Sequence, residues 1–322
     1  MPNLRTKLPL YWYQSSLHPL LYILLPFSWL FRLIVWARKQ AYRRGLLKSV
    51  SFPVPVIVVG NITVGGAGKT PLTIYLAKLF AKQGYRVGIV SRGVGGRQAK
   101  AAHRVLLTDQ ASVVGDEAIL LLQETGCPVV VCRDRVAAVA LLLQTTDCNL
   151  VLSDDGLQHY RLQPQVTIAV VDRARGLGNG QLLPAGPLRE PNVRLQEVDM
   201  VVVNGVEMAV TPDQVVSLKK PMERYPFHSF AKKQVHAVAA IGNPQSFFQS
   251  LQQAGFNIIP HVFPDHYLYN KADFRFDDRL PILMTCKDAV KCKDFCDERF
   301  WMVTTRVEMS EAFDRAMLNR VQ

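Results

Sequence analysis

Residues 56–60 read VIVVG and run straight into NITVGGAGKT at 61–70 and PLTIYLAKLFAKQG at 71–84, an order that leaves the chain few folds to choose from. Four β-branched residues closed by a glycine predict a buried parallel strand. In the third stretch Leu72, Tyr75, Leu76, Leu79 and Phe80 recur at helical spacing, and Gly84 marks a stop. Strand, glycine-rich loop and helix in that sequence make a phosphate-binding loop. Gly65, Gly66 and Gly68 free the backbone to turn its N–H groups inward on phosphate oxygens, and the start of the helix adds its positive dipole end. Thr63, Gly65, Gly66, Ala67, Gly68, Lys69 and Thr70 are therefore the candidate triphosphate contacts. Lys69 suits the β- and γ-phosphates, and the Thr70 hydroxyl suits Mg²⁺. Thr63 stands where the general pattern has a glycine.

A second apolar run, NLVLSDDG at 149–156, ends in two carboxylates. Asp at the C-terminal end of a strand is the usual partner of such a loop, holding Mg²⁺ directly or through water, which makes Asp154 and Asp155 the metal candidates. Adjacent carboxylates repel, and a dication is their natural counter-charge. Asp116, in Gly115-Asp116-Glu117 ahead of a helical run, suits an N-cap as well as a functional role. Arg92, Arg133 and Arg135 fall on loops after the strands RVGIVS and PVVVC, where an open α/β sheet binds its ligands. Further strands at 166–172 and 198–205, alternating with helices, predict a mostly parallel P-loop NTPase-type sheet with helices on both faces.

Charge is distributed unevenly. Sixteen Lys or Arg residues and no Asp or Glu lie between Met1 and Arg104, so the net charge of +12 resides in the N-terminal third. Such a block attracts phosphate-bearing partners. Between Lys7 and Arg32 runs an uncharged stretch, diluted by Gln14, Ser15, Ser16 and His18 and broken by Pro19 and Pro26. Arg32, Arg38, Lys39, Arg43, Arg44 and Lys48 follow, among Leu33, Ile34, Val35, Trp36 and Leu46. Apolar residues and Trp beside cations are the makings of a helix lying in a membrane interface, apolar side in the acyl boundary and cations on anionic headgroups. Cations interleaved with an apolar run do not make a stacking platform for nucleic acid, and none is expected as a partner. The six cysteines match no zinc-site spacing and read as free thiols.

Taken together, GNITVGGAGKTP at 60–71, VGIVSRG at 87–93, GDEA at 115–118, SDDGLQHYRL at 153–162, GNGQLLPAGPLREP at 178–191, DH at 265–266 and TCKDAVK at 285–291 closely resemble the tetraacyldisaccharide 4′-kinase family of Gram-negative lipid A biosynthesis. Thr63 is what that family has; Cys286 and Ala118 depart from its expected Glu and Pro. The resemblance implies ATP-dependent phosphorylation of the 4′-hydroxyl of a tetraacyl diglucosamine lipid, giving lipid IVA at the cytoplasmic face of the inner membrane. It implies Asp116 as the base that takes the hydroxyl proton, paired with His266, with Lys69 neutralising charge in transfer. Arg92, Glu117, Gln158, His159, Arg189 and Glu190 are further candidates near nucleotide or acceptor.

The expected organisation is a membrane-associating segment over 1–50, a P-loop kinase domain over 51–228 and a smaller α/β domain over 229–322 that contributes His266, with a hinged closure bringing Asp116 to it. The competing expectation is a membrane-cycling ParA/MinD-like ATPase, which shares GGAGKT. Those proteins carry a signature lysine where this chain has Val64.

Overall fold

The structure is a computed structural model that describes residues 8, 10–14, 17–97 and 100–321. Residues 1–7, Pro9, Ser15 and Ser16 of the expected membrane-associating segment lie outside the described residues. The fold is α/β with mostly parallel strands, as the sequence predicts. It comprises two compact units, each assembled from separated stretches of chain: 1–90, 147–209 and 309–322 in the first, 91–146 and 210–308 in the second.

In the first unit, helix α1 (Leu25–Arg43) precedes the strand β1 (Val56–Gly60), the helix α2 (Lys69–Lys82) and the strand β2 (Val87–Ser91). Strands β3 (Leu150–Asp154), β4 (Val166–Asp172) and β5 (Met200–Asn204) complete a parallel sheet in the order β5-β4-β1-β3-β2. Every residue of β1 and β3 is buried, which explains the apolar runs Val56–Val59 and Leu150–Leu152. Helix α2 buries Leu72, Leu76, Ala77 and Phe80, one stripe of an amphipathic helix. The register matters for chemistry: Val59 of β1 pairs with Asp154 of β3, so the carboxylate lies beside the mouth of the glycine-rich loop.

Helix α1 is 19 residues long, and among the described residues no helix is long and apolar enough to cross a membrane. Its Ser28 is buried, whereas Phe27, Trp29, Leu30, Leu33, Ile34 and Trp36 are all exposed. The apolar side thus faces outward, the reverse of an ordinary surface helix.

In the second unit, helix α3 (Asp116–Thr125) belongs to the first stretch. The second stretch supplies the parallel strands β6 (Gln234–Ala239), β7 (Asn257–Val262), β8 (Ile282–Thr285) and β9 (Phe300–Met309), in the order β7-β6-β8-β9. Their core gathers Phe227, Phe230, Phe248 and Phe256 on one side and Tyr269, Phe274, Met284 and Phe300 on another.

Candidate active site

The first unit contains the phosphate-binding geometry. Gly68 caps α2 with φ +97°, and a Cβ there would sit 2.8 Å from the Met208 methyl group, so glycine is required both by the backbone and by space. Lys69 and Thr70 open the helix. The Thr70 hydroxyl lies 3.4 Å from Asp154 Oδ2, and Thr73 donates to Asp154 Oδ1 at 3.2 Å. Asp154 is fully buried at the end of β3. A hydroxyl and a carboxylate facing each other beside the loop are hard oxygen donors of the kind Mg²⁺ takes, and the pair fits that ion. Among the described residues no group of three or more His, Cys, Asp or Glu is set to hold a metal, so a dication here would draw its other oxygens from phosphate and water.

Asp155 has a different environment from the one its sequence neighbourhood suggests. Its φ is +49°, in the left-handed region, and Arg189 Nη1 reaches its two oxygens at 3.0 and 3.1 Å. Lys69 Nζ stands 3.5 Å from Asp155 Oδ1 and 3.2 Å from Asn61 Oδ1. Asp155 thus has basic neighbours, Arg189 from 34 residues downstream and Lys69 from the glycine-rich loop. Arg189 is the hub: its Nε donates to the Thr63 carbonyl at 2.9 Å, its Nη2 to Asn61 Oδ1 at 2.9 Å, and its Nη1 also to Gln158 Oε1 at 3.1 Å. Gln158 in turn donates to Glu190, and Glu190 is buried. His159 is half-buried and lines a cavity of about 580 Å³ with Lys39, Tyr42 and Arg194. Asn61, fully buried at the head of the loop, is the residue that sequence reasoning passed over; its position right after β1 is the signal that could have found it.

The second unit brings Asp116 and His266 together across 150 residues of sequence. His266 Nδ1 lies 3.1 and 3.2 Å from the Asp116 oxygens. The expected hinged closure thus loses its motive, because the two side chains already touch and belong to one compact unit. The N-cap of α3 is Gly115, not Asp116, which is the first helical residue. With φ +91° and a virtual Cβ only 2.5 Å from the Val94 carbonyl, position 115 admits only glycine, and that turn aims the Asp116 carboxylate at His266. His266 itself has φ +60°, a conformation that must be held by its surroundings.

Charge surrounds this pair. Lys287 Nζ contacts Glu117 Oε1 at 3.2 Å, Asp265 Oδ1 at 3.3 Å and His266 Nε2 at 3.5 Å. Lys291 lies 3.9 Å from Asp116 and 2.8 Å from the fully buried Asp288. Burial works to raise the Asp116 pKa, but the His266 hydrogen bond and the Lys287 and Lys291 charges outweigh it and hold the carboxyl below its ordinary value. The same hydrogen bond holds the His266 imidazole above its ordinary value, against the effect of burial. Burial works to lower the Lys287 pKa, and the carboxylates of Glu117, Asp116 and Asp265 reverse it to a net increase. Arg92 and Arg133 are exposed, and Arg135 is buried with its guanidinium on the Cys132 carbonyl at 2.7 Å. All six cysteines are free thiols.

A glycine-rich loop between a buried strand and a helix, facing a carboxylate at the end of the adjacent parallel strand, defines a P-loop nucleotide-binding protein. Comparison with known proteins narrows this class. The sequence pattern of the tetraacyldisaccharide-1-P 4′-kinase family (LpxK) matches residues 20–322, and the chain belongs to that family. It is 48% identical over 307 residues to the tetraacyldisaccharide 4′-kinase of Coxiella burnetii (strain RSA 331 / Henzerling II), covering 95% of this chain and 93% of that protein. It is 45% identical over 317 residues to the enzyme of the same name from Nitrosococcus oceani, covering 97% and 93%. Among solved structures, an "apo" form of LpxK from Aquifex aeolicus in complex with ATP superposes with a TM-score of 0.81, at 30% identity, over 94% of this chain and all of that one.

Proposed function

We infer that this chain transfers the γ-phosphate of ATP to the 4′-hydroxyl of a tetraacyl diglucosamine 1-phosphate lipid, the step that gives lipid IVA in lipid A biosynthesis. Family membership supplies the acceptor, and the ATP-bound relative supports the donor. The observation that carries the phosphoryl chemistry is the Thr70 hydroxyl 3.4 Å from the Asp154 carboxylate at the mouth of the loop.

Within this reading, backbone N–H groups over 65–70 cradle the phosphates, and Lys69 offsets the charge that accumulates on the transferring group. Thr70 and Asp154 would hold Mg²⁺, which when bound neutralises phosphate oxygens and fixes their orientation. Asp155 stays paired to Arg189 and fixes Arg189 against the loop carbonyl of Thr63. A sugar hydroxyl is a poor nucleophile at neutral pH, so the Asp116–His266 pair takes its proton as the new P–O bond forms. Accepting that proton places an imidazolium beside a carboxylate, a stabilised arrangement. Lys287 and Glu117 fix the far side of the imidazole.

The outward apolar stripe of α1 supports an anionic membrane surface as the second partner, with the protein peripheral at the cytoplasmic face of the inner membrane. A tetraacyl acceptor cannot leave the bilayer cheaply, at ~0.8 kcal/mol per CH₂ exposed, so the enzyme must come to it.

Mass spectrometry of the lipid after incubation with ATP and Mg²⁺ tests the reading. A product heavier by one phosphate at the 4′ position is expected. ATP turnover stimulated by plain vesicles, with no phosphorylated lipid, would instead support the membrane-cycling ATPase.

A further inference from the structure

Two sets of hydrogen bonds and ion pairs fasten helix α1 to its own unit on one segment of chain. Ser28 Oγ donates to the Leu182 carbonyl at 2.9 Å and accepts the Ala185 N–H at 2.9 Å. Three turns further on, Lys39 is ion-paired with Glu197, and Arg43 Nη2 lies 3.2 Å from Glu197 Oε1. Arg189 and Glu190 lie on the chain between those two sets of contacts.

From Glu197 a line of polar contacts runs inward, its Arg194–Glu190 step an ion pair and the others hydrogen bonds. Glu197 Oε2 accepts Arg194 Nη1 at 3.2 Å, and Arg194 Nε lies 3.4 Å from Glu190 Oε2. Glu190, 2% exposed, accepts Gln158 Nε2 at 2.9 Å and the Tyr160 hydroxyl. The other end of Gln158 accepts Arg189 Nη1, the nitrogen that also holds Asp155. Gln158 is oriented by Glu190 and Arg189 by Asp155, and Glu190 is buried where a misplaced charge is expensive.

We propose that Glu197 is a positioning residue for the phosphoryl transfer, tying α1 to Arg189 at the phosphate-binding loop through Arg194, Glu190 and Gln158. The proposal rests on the kinase reading above. Three cations, Lys39, Arg43 and Arg194, converge on this one carboxylate. Without its charge they repel one another, Arg194 shifts on Glu190, and the Gln158 amide no longer fixes Arg189. Burial works to raise the Glu197 pKa, yet the contacts to Lys39, Arg194 and Arg43 hold it below its ordinary value, so the carboxylate is charged throughout the working range.

Steady-state kinetics on Glu197→Gln with ATP and the lipid acceptor are the test. We expect kcat to fall by about fivefold to tenfold, with KM for ATP changing by less than about twofold, because the backbone amides over 65–70 that cradle the phosphates are not part of that line of contacts. Lys39→Met cuts the same chain, so adding it to Glu197→Gln should lower kcat no further. An unchanged kcat in folded Glu197→Gln, or losses that multiply in the double variant, overturns the proposal. If Glu197→Gln fails to fold, Arg194→Lys keeps a positive charge beside Glu197 and Glu190 but loses the guanidinium that reaches both, and carries the same expectation of a reduced kcat, an unchanged kcat again overturning the proposal. Wild-type enzyme that yields no phosphorylated lipid would sink the kinase reading instead.

Discussion

Asp116 and His266 show how much chemistry two side chains gain from each other. The carboxylate, 3% exposed, is kept ionised by a histidine and two lysines, and the histidine is kept basic by the carboxylate. Replacing Asp116 with Ala should lower kcat by roughly 10²–10⁴ while ATP binding, measured by calorimetry, stays nearly intact. The pH dependence follows from the directions of the shifts. His266 is raised above its ordinary 6.5, and a protonated dyad cannot accept a further proton readily, so the acid limb of the kcat–pH profile should lie above pH 6.5. In His266→Ala the limb should move to lower pH, toward the range of a lone carboxyl. Stability has the opposite signs at its two ends. The contribution of Asp116 is present above its ordinary 3.8 and is lost as pH falls through its lowered pKa. That of His266 is complete below 6.5 and is lost as pH rises through its raised pKa.

Among the elements, α1 and the β1–loop–α2 unit represent two kinds of design. In β1 and α2 local propensity and burial agree: buried strand, glycine turn and a helix whose apolar stripe packs inward. In α1 they disagree, since Trp29 is 62% and Leu30 56% exposed while Ser28 is buried and hydrogen-bonded. An exposed apolar stripe on a helix that its own unit holds only through polar and half-buried contacts is suited to a lipid surface. Leu30→Ser with Ile34→Ser should weaken binding to anionic vesicles by about tenfold or more in a flotation assay. The melting temperature should barely move, because neither side chain packs in the core. A large drop in melting temperature would mean the stripe is covered within the protein.

For the whole molecule, nucleotide binding has an energetic consequence that unfolding exposes. A triphosphate with Mg²⁺ that binds only the folded state should add about 2.7 kcal/mol of stability at a hundredfold excess over its Kd. Denaturant unfolding with and without MgATP measures this, and Lys69→Ala should lose most of the gain. An equal gain in that variant would place the nucleotide elsewhere. The grouping of 91–146 with 210–308 is not announced by chain order, which suggests a single boundary near 228. Interleaving of this kind lets helix α3 and the loop at 265–266 share a unit although they are far apart in sequence.

Legible before folding is whatever neighbouring residues enforce on one another: the buried strand, the glycine turn, the helix that follows, and the carboxylate at the end of a second apolar strand. Those depend on dihedral freedom and on apolar periodicity, both of which are local. The family, too, was legible there, because its motifs are long contiguous strings. Which partner each charge meets was settled by the packing of distant segments. Asp155 looked like half of a bare acidic pair until Arg189 closed on it, Asp116 looked like a cap until Gly115 took that position, and Glu197 carried no sign of its contacts at all. Ion pairs and hydrogen bonds are short-ranged in space but indifferent to separation along the chain, so their partners exist only once the chain has folded.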